Sequence, residues 1–414
     1  MLWRLLRSER CRVTKVPAEA DLFVVPVWPR PKNQSGWAAA CDKDANRKLA
    51  EALVHMTPGT AHKHLIIIGK GQINPSGKCD DWWRSPRGLL RRAMRVAYSA
   101  NHLPPGATLA SEAPLTLPGT QLPWDYGPKH LTNATEADRL TPNVLSDDVP
   151  WPHLVSVPYP AVVHAARGDA GPPPWFAIPE AARPKLVSFV GGMRQGGGYA
   201  GARERLRDDC VAAGEDVCVF RTLDGLKELR EKQVAKALAL AQRLGLPTEG
   251  GHNRSSAMGL VDGTEDDSCE TIKSLKRSAV FCLEPGGDSP YRKSIFDSIL
   301  LGCIPVVFSE YTNRVAPWHW SGFRDRSRVL VDERRYRDGA LDLIDYLRNI
   351  PRDEVRRMQA TIARHAHALM YAVDDFPGDA VDLLLAGAHR LAKRRERHDL
   401  HAKCGGAGGL CAGN

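Results

Sequence analysis

The stretch FCLEPGGDSPYRKSIFDSILLGCIPVVF, residues 281–308, gathers several anion-binding residue types into one loop. Two runs that read as buried strands, Ala279–Leu283 and Cys303–Phe308, bracket Glu284, Gly286, Gly287, Asp288, Ser289, Arg292 and Lys293. Ile295, Phe296, Ile299 and Leu300 follow at helical spacing, so the order strand, loop, helix, strand predicts a βαβ unit. Such units bind ligands outside the carboxyl ends of their strands. Ser289 with Pro290 suits an N-cap and first turn. The free N–H groups and positive dipole end of the helix start would suit a phosphate. Arg292 and Lys293 oppose that dipole, and an anion facing them would remove the conflict. Glu284 and Asp288 flank the glycines, and a carboxylate at a strand end can accept two hydrogen bonds from a ribose diol. The competing reading makes Asp288 a turn stabiliser and Glu284 a solvated charge.

A second glycine turn, Phe189-Val190-Gly191-Gly192-Met193-Arg194, follows another buried run, Leu186–Val190. Paired glycines let backbone approach a ligand, and the Arg194 guanidinium could hold a diphosphate through two parallel bonds. Alone, such a turn is only a turn. Both turns lie on one predicted domain, where carboxyl strand ends converge.

The elements needed to position them can be read along the chain. Short strands are predicted at 21–27, 64–68, 107–110, 153–160, 186–190, 217–220 and 328–331. Helices are predicted at 42–56, 86–100, 199–213, 224–244, 268–277, 338–348 and 352–371. Strands alternating with helices imply parallel sheets built from βαβ units. The proline-rich run GDAGPPPWFAIPEAARPK, 168–185, divides the chain into domains at 1–167 and 186–385. The chain has 414 residues, and single cores rarely grow beyond about 250–300 residues, so two domains are expected.

Net charge is +9, but His389–Lys403 carries six Lys or Arg against two acids, which places +4 of it there. With the Gly-rich end, 386–414 reads as a basic disordered tail. The remaining charge suits a small anionic ligand, and aromatic-basic interleaving that would suggest nucleic acid is missing. No apolar run reaches transmembrane length, and the first residues lack a signal-peptide core. The ten cysteines form no CxxC pair. Cys210 and Cys218 are close enough to bridge a turn, Cys41 and Cys79 could pair, and Cys282 and Cys303 read as packed thiols. Three sequons, at Asn33, Asn133 and Asn253, give weak support for a secretory glycoprotein.

The 281–308 stretch resembles the signature of exostosin-type glycosyltransferases, in particular the plant branch containing xyloglucan galactosyltransferases. VPAEADLFVVPVW, VPYP at 157–160, KLVSFVGGMR and VRRMQATIARHAHALMY resemble further segments of that family, in order, from about Arg7 to Leu385. The resemblance implies a GT-B fold, two Rossmann-like domains facing across a cleft. It implies inverting transfer of a sugar from a UDP-sugar donor to a polysaccharide or glycan acceptor in the Golgi lumen, in cell-wall biosynthesis, with no metal or other cofactor. A catalytically inactive relative that binds nucleotide sugar or stabilises an active partner has the same fold, and oligomers with related transferases are compatible with either. By motif position, Arg194 and Arg292 would contact the diphosphate, with Lys293 a further candidate. Gly191, Gly192, Glu284, Gly287, Asp288 and Ser289 would line the donor pocket.

An inverting transfer also needs a base for the acceptor hydroxyl. His64 aligns with a family histidine, and Asp81 is an alternative, as are Asp80 and Asp125. Asp42-Lys43-Asp44 has the DxD form of metal-diphosphate sites but does not follow a strand. Family members carry a membrane anchor and an earlier strand before the region matching Ala20–Val27. Fewer than twenty residues precede it here, so either the chain is truncated or the first domain lacks its first strand.

Overall fold

The computed structural model describes residues 13–25, 51–70, 93–99, 154–166, 173–176, 182–193, 200–226, 228, 235, 239, 243, 267–286, 292–308 and 315–404. Among them, two parallel sheets form. The first contains β1 (Phe23–Val25), β2 (His64–Lys70), β3 (Met94–Ser99) and β4 (Leu154–Ser156), in that order. The second contains β5 (Lys185–Gly191), β6 (Cys218–Thr222), β7 (Ala279–Glu284), β8 (Ile304–Val307) and β9 (Val329–Leu330), in the order β6-β5-β7-β8-β9. That is the doubly wound order 2-1-3-4-5, with its switch point between β5 and β7.

Helices α1 (Ala200–Ala213), α2 (Asp267–Arg277) and α3 (Lys293–Leu300) connect or flank the central strands. Then follow α4 (Pro317–Trp320), α5 (Glu333–Arg337), α6 (Leu343–Arg348), α7 (Arg352–His365) and α8 (Ala380–Cys404). All six residues of β7 and all four of β8 are buried, as strands covered on both faces require. Ile295, Phe296, Ile299 and Leu300 turn inward from α3, and the helix ends at Gly302, whose φ of 71° is the left-handed exit expected of glycine.

Several expectations are corrected. The apolar residues at 86–100 were read as a helix, yet 94–99 form β3, in which Met94, Val96 and Tyr98 alternate onto the first core. Ser289 does not cap α3. The helix starts at Lys293 with Arg292 in the N-cap position, and Ser289 lies outside the described residues. The helix expected at 338–348 begins only at Leu343, as α6; the separate α5 precedes it, with Gly339 (φ 82°) between them and Asp332 and Asp342 capping the two helices. Cys282 and Cys303 are joined in a disulfide rather than left as thiols, and Cys210–Cys218 is a second. Cys41 and Cys79 lie outside the described residues.

The tail is corrected most. Helix α8 continues to Cys404, because Leu384, Ala388, Leu391, Ala392 and Arg395 repeat at helical spacing and are all buried. The first four of these pack with Leu65, Met94, Val96 and Val157 of the first sheet and its exit. Lys63 pairs with Glu396 at 2.8 Å, and Lys393 with Asp21 at 3.2 Å. The helix that follows the second unit therefore closes the core of the first. The segment read as a linker also takes part in packing. Trp175 is buried in the main core, and Arg183 donates to the carbonyls of Ala279 and Leu301 at 2.7 and 2.9 Å.

Candidate functional site

Strands β5 and β7 run side by side in parallel, with Val187 opposite Phe281 and Ser188 opposite Cys282. Their carboxyl ends thus place Gly191-Gly192 beside Glu284-Pro285-Gly286. At Gly191 an added Cβ would lie 2.8 Å from the Phe189 ring, which folds beneath the turn and stacks on Phe220 at 4.5 Å. The turn is narrow because an aromatic ring occupies the place of a side chain.

Arg203, in the first turn of α1, ties the two turns together across the switch point. Its Nε donates to the Gly286 carbonyl at 3.0 Å, its Nη1 donates to the Gly192 carbonyl, and its guanidinium lies over Phe189. In a trans peptide the N–H points opposite to the C=O, so the Met193 N–H is directed away from the arginine. The arginine is 8% exposed, so its charge is spent on the frame of the crevice. Sequence reading missed it because an arginine in a surface-patterned helix carries no sign of its partners.

Glu284 closes β7 and is not a solvated charge. It is 3% exposed, and its Oε1 accepts from Lys276 Nζ at 2.7 Å, Ser298 Oγ at 2.6 Å and Ser294 Oγ at 3.0 Å. Lys276, on the last turn of α2 and 2% exposed, also donates to both serine hydroxyls. A buried carboxylate requires such a partner, since an unpaired charge in the interior is costly. Lys276, Ser294 and Ser298 were also absent from the sequence reading.

At the start of α3, Arg292 has extended backbone and supplies no side-chain cap. Lys293 instead donates to both Asp297 carboxylate oxygens at 2.9 Å. Asp297 Oδ1 also accepts from the Val162 backbone N–H at 2.8 Å, so it braces α3 against the segment leaving the first sheet. Lys293 is thus committed to a structural pair. Arg194, Gly287, Asp288 and Ser289 lie outside the described residues, as do Asp42, Asp44, Asp80, Asp81 and Asp125.

His64 is corrected as a base. It opens β2, which places it at the amino end of a parallel strand, away from the ligand-binding ends. It is buried, stacks on Phe23 at 4.6 Å and makes a 2.9 Å hydrogen bond through Nδ1 with the Thr60 carbonyl. Burial holds its imidazole below the ordinary range. Among the described residues no cluster of His, Cys, Asp and Glu could hold a metal ion. A cavity of about 620 Å³ lined by His164, Lys273 and Arg277 lies at the amino end of β7, opposite the crevice.

Residues 120–314 match the exostosin GT47 domain, a span that includes both glycine turns, Arg203 and α3. This part of the chain is similar to plant-type exostosin-family proteins. The chain's two parallel α/β sheets are of the GT-B type found in that family. It is 29% identical over 137 residues to the probable xyloglucan galactosyltransferase GT13 of Arabidopsis thaliana, covering 32% of this chain and 29% of that relative. It is 38% identical over 96 residues to xyloglucan-specific galacturonosyltransferase 1 of the same plant, covering 23% and 14%. With the xyloglucan galactosyltransferase MUR3, also from that plant, it shares 35% identity over 105 residues, covering 25% and 17%. The chain spans less than a third of the length of each of these three relatives.

Proposed function

We propose that this chain is a glycosyltransferase that moves a sugar from a UDP-sugar, held by the second sheet, to a hydroxyl of a polysaccharide or glycan. The observation that carries this reading is the switch-point crevice. Gly191-Gly192 and Gly286 are clasped there by Arg203, with Glu284 beside them and the uncapped start of α3 at Arg292 on the same β7–α3–β8 unit. In an inverting transfer the acceptor oxygen attacks the anomeric carbon from the face opposite the diphosphate. The bond from that carbon to the diphosphate oxygen breaks with its electron pair, and a base takes the acceptor proton. Negative charge then grows on the leaving UDP, where the Arg292 guanidinium and the N–H groups of α3 can offset it. That supplies electrostatically what a bound divalent cation supplies elsewhere, and it supports a metal-independent reaction.

The relatives' names point to a xyloglucan-like acceptor and a hexose or hexuronate donor. Two disulfides fit an oxidising lumen such as the Golgi. Among the described residues no helix is long and apolar enough to cross a membrane.

The test combines binding with turnover. Arg292→Ala should weaken UDP at least about tenfold, the loss of one charge-assisted contact, with the unfolding transition unchanged. Unchanged affinity in a folded variant would remove the diphosphate assignment. A panel of UDP-sugars and xyloglucan oligosaccharides, run with and without a chelator, should give chelator-insensitive turnover. UDP binding without any turnover would instead favour the inactive, partner-stabilising relative.

A further inference from the structure

The cavity at the amino end of β7 plays no part in the donor reading, since it lies at the opposite end of the strands from the crevice. Its walls are residues 162–164 leaving the first sheet, Pro174 and Ala182 of the proline-rich segment, the last two turns of α2, and Leu301. At about 620 Å³ it has the size of a small-molecule site. Its charge is positive. Lys273 is offset by Glu270, which it meets at 2.6 Å. Arg277 is exposed on the same wall, and among the described residues no carboxylate pairs with it. Arg183 is buried nearby, its Nη atoms donating to the carbonyls of Lys276, Ala279 and Leu301 and its Nε without a partner. Burial, and then the charge of Arg277, pull the Arg183 guanidinium down to about 10. Two like charges are thus held close with no acid paired to either, and an anion in the cavity would relieve their repulsion.

The rest of the lining suits hydroxyls and an apolar ring face. Ser274 is exposed on the α2 wall. His164 is also exposed, and its Nδ1 donates to the Tyr371 carbonyl at 2.8 Å, which leaves Nε2 for a ligand. Phe176 is 50% exposed two residues from Pro174, with its carbonyl near Gly302, the neighbour of Leu301. A pyranose presents a C–H face to such a ring, and a guanidinium holds a carboxylate through two parallel bonds. We propose that this cavity binds a carboxylate-bearing sugar of an acidic glycan, with the carboxylate on Arg277 and the sugar ring against Phe176. The binding chemistry stands on the cavity itself. Its use, anchoring an acidic polymer away from the reacting end, rests on the glycosyltransferase reading.

The experiment titrates the full chain by calorimetry with trigalacturonate and with the neutral galactose trimer of the same linkage. Trigalacturonate should bind about tenfold or more tightly, the contribution of one charge-assisted contact, and high salt should narrow the gap. Arg277→Gln should bring the two affinities close together, and Arg277→Lys should restore part of the difference. UDP affinity should stay within about twofold of wild type in both variants, because Arg277 is remote from the crevice. Phe176→Ala should weaken both trimers about threefold and leave their ratio unchanged, since stacking does not read charge. Both side chains are exposed, so the variants should melt with wild type. No binding of trigalacturonate, or a folded Arg277→Gln that keeps the wild-type ratio, overturns the proposal. Triglutamate or inorganic phosphate binding as tightly as trigalacturonate overturns it too. Wild type that binds trigalacturonate but neither binds UDP nor transfers sugar overturns the glycosyltransferase reading and leaves the glycan site. Sugar transfer from UDP-sugar without trigalacturonate binding overturns only this inference.

Discussion

At the scale of single residues, burial and partners separate side chains that look alike in sequence. Glu284 ends a strand and Glu333 comes shortly after one, but only Glu284 has a lysine against it. Glu333 is 9% exposed, and burial pushes its carboxyl up to about 8, against the pull of Arg337. The unfolded chain would release this proton near 4.5, whereas the folded protein keeps it to about 8. The folded state therefore binds the extra proton between those values, and stability falls as pH rises through that window. Glu333→Gln removes the titration. The variant should match wild type below pH 4.5 and gain progressively above it. The gain should level off above pH 8 at on the order of 5 kcal/mol in urea unfolding. A constant difference across the range would show that Glu333 is ionised in the folded protein. Nothing in the sequence distinguishes the two glutamates, because Lys276 reaches Glu284 only once α2 has packed against β7.

At the scale of elements, the β7–α3–β8 unit was legible because its apolar runs and helical stripe have different periods. Segment 94–99 was misread because its apolar residues also fit helical spacing, and only the first core shows which period is used. The start of α3 was placed too early because serine-proline is a good local cap, whereas the helix begins where Lys293 can reach Asp297. The disulfide was missed for a similar reason. Cys282 and Cys303 sit in buried strand surroundings that suit packed thiols, and pairing depends on the register of β7 with β8. With 21 residues separating its cysteines, the bridge closes most of the unit into one loop. Replacing both by alanine should cost about 3 kcal/mol by the chain-entropy estimate for such a loop. A reductant should lower the melting temperature of wild type further than that of the double variant, which keeps only Cys210–Cys218. Equal sensitivity of both proteins would mean that Cys210–Cys218 carries the redox dependence.

At the scale of the whole molecule, α8 decides whether the first sheet has a core. Composition made 386–414 look disordered, since its many cations outweigh a narrow stripe of small and apolar residues. The stripe matters because Leu391 and Ala392 cover Leu65, Met94 and Val96, which would otherwise face water. The fit is close. At Gly387 an added Cβ would lie 2.3 Å from the Trp318 ring of α4. Trp318 belongs to the second unit, and Ser156 of β4 accepts from the Ala316 N–H at 2.8 Å in the same region. The two units are therefore joined through this corner as well as by the chain. A chain ending at Leu385 should lose about 10 °C or more in melting temperature, since exposing several core side chains costs several kcal/mol. It should also bind a hydrophobic dye through the uncovered face of the first sheet. A chain ending at Cys404, lacking only the Gly-rich end, should melt with the full chain. Equal melting of all three would show that residues 386–404 contribute nothing to the core, and the tail read from composition would stand.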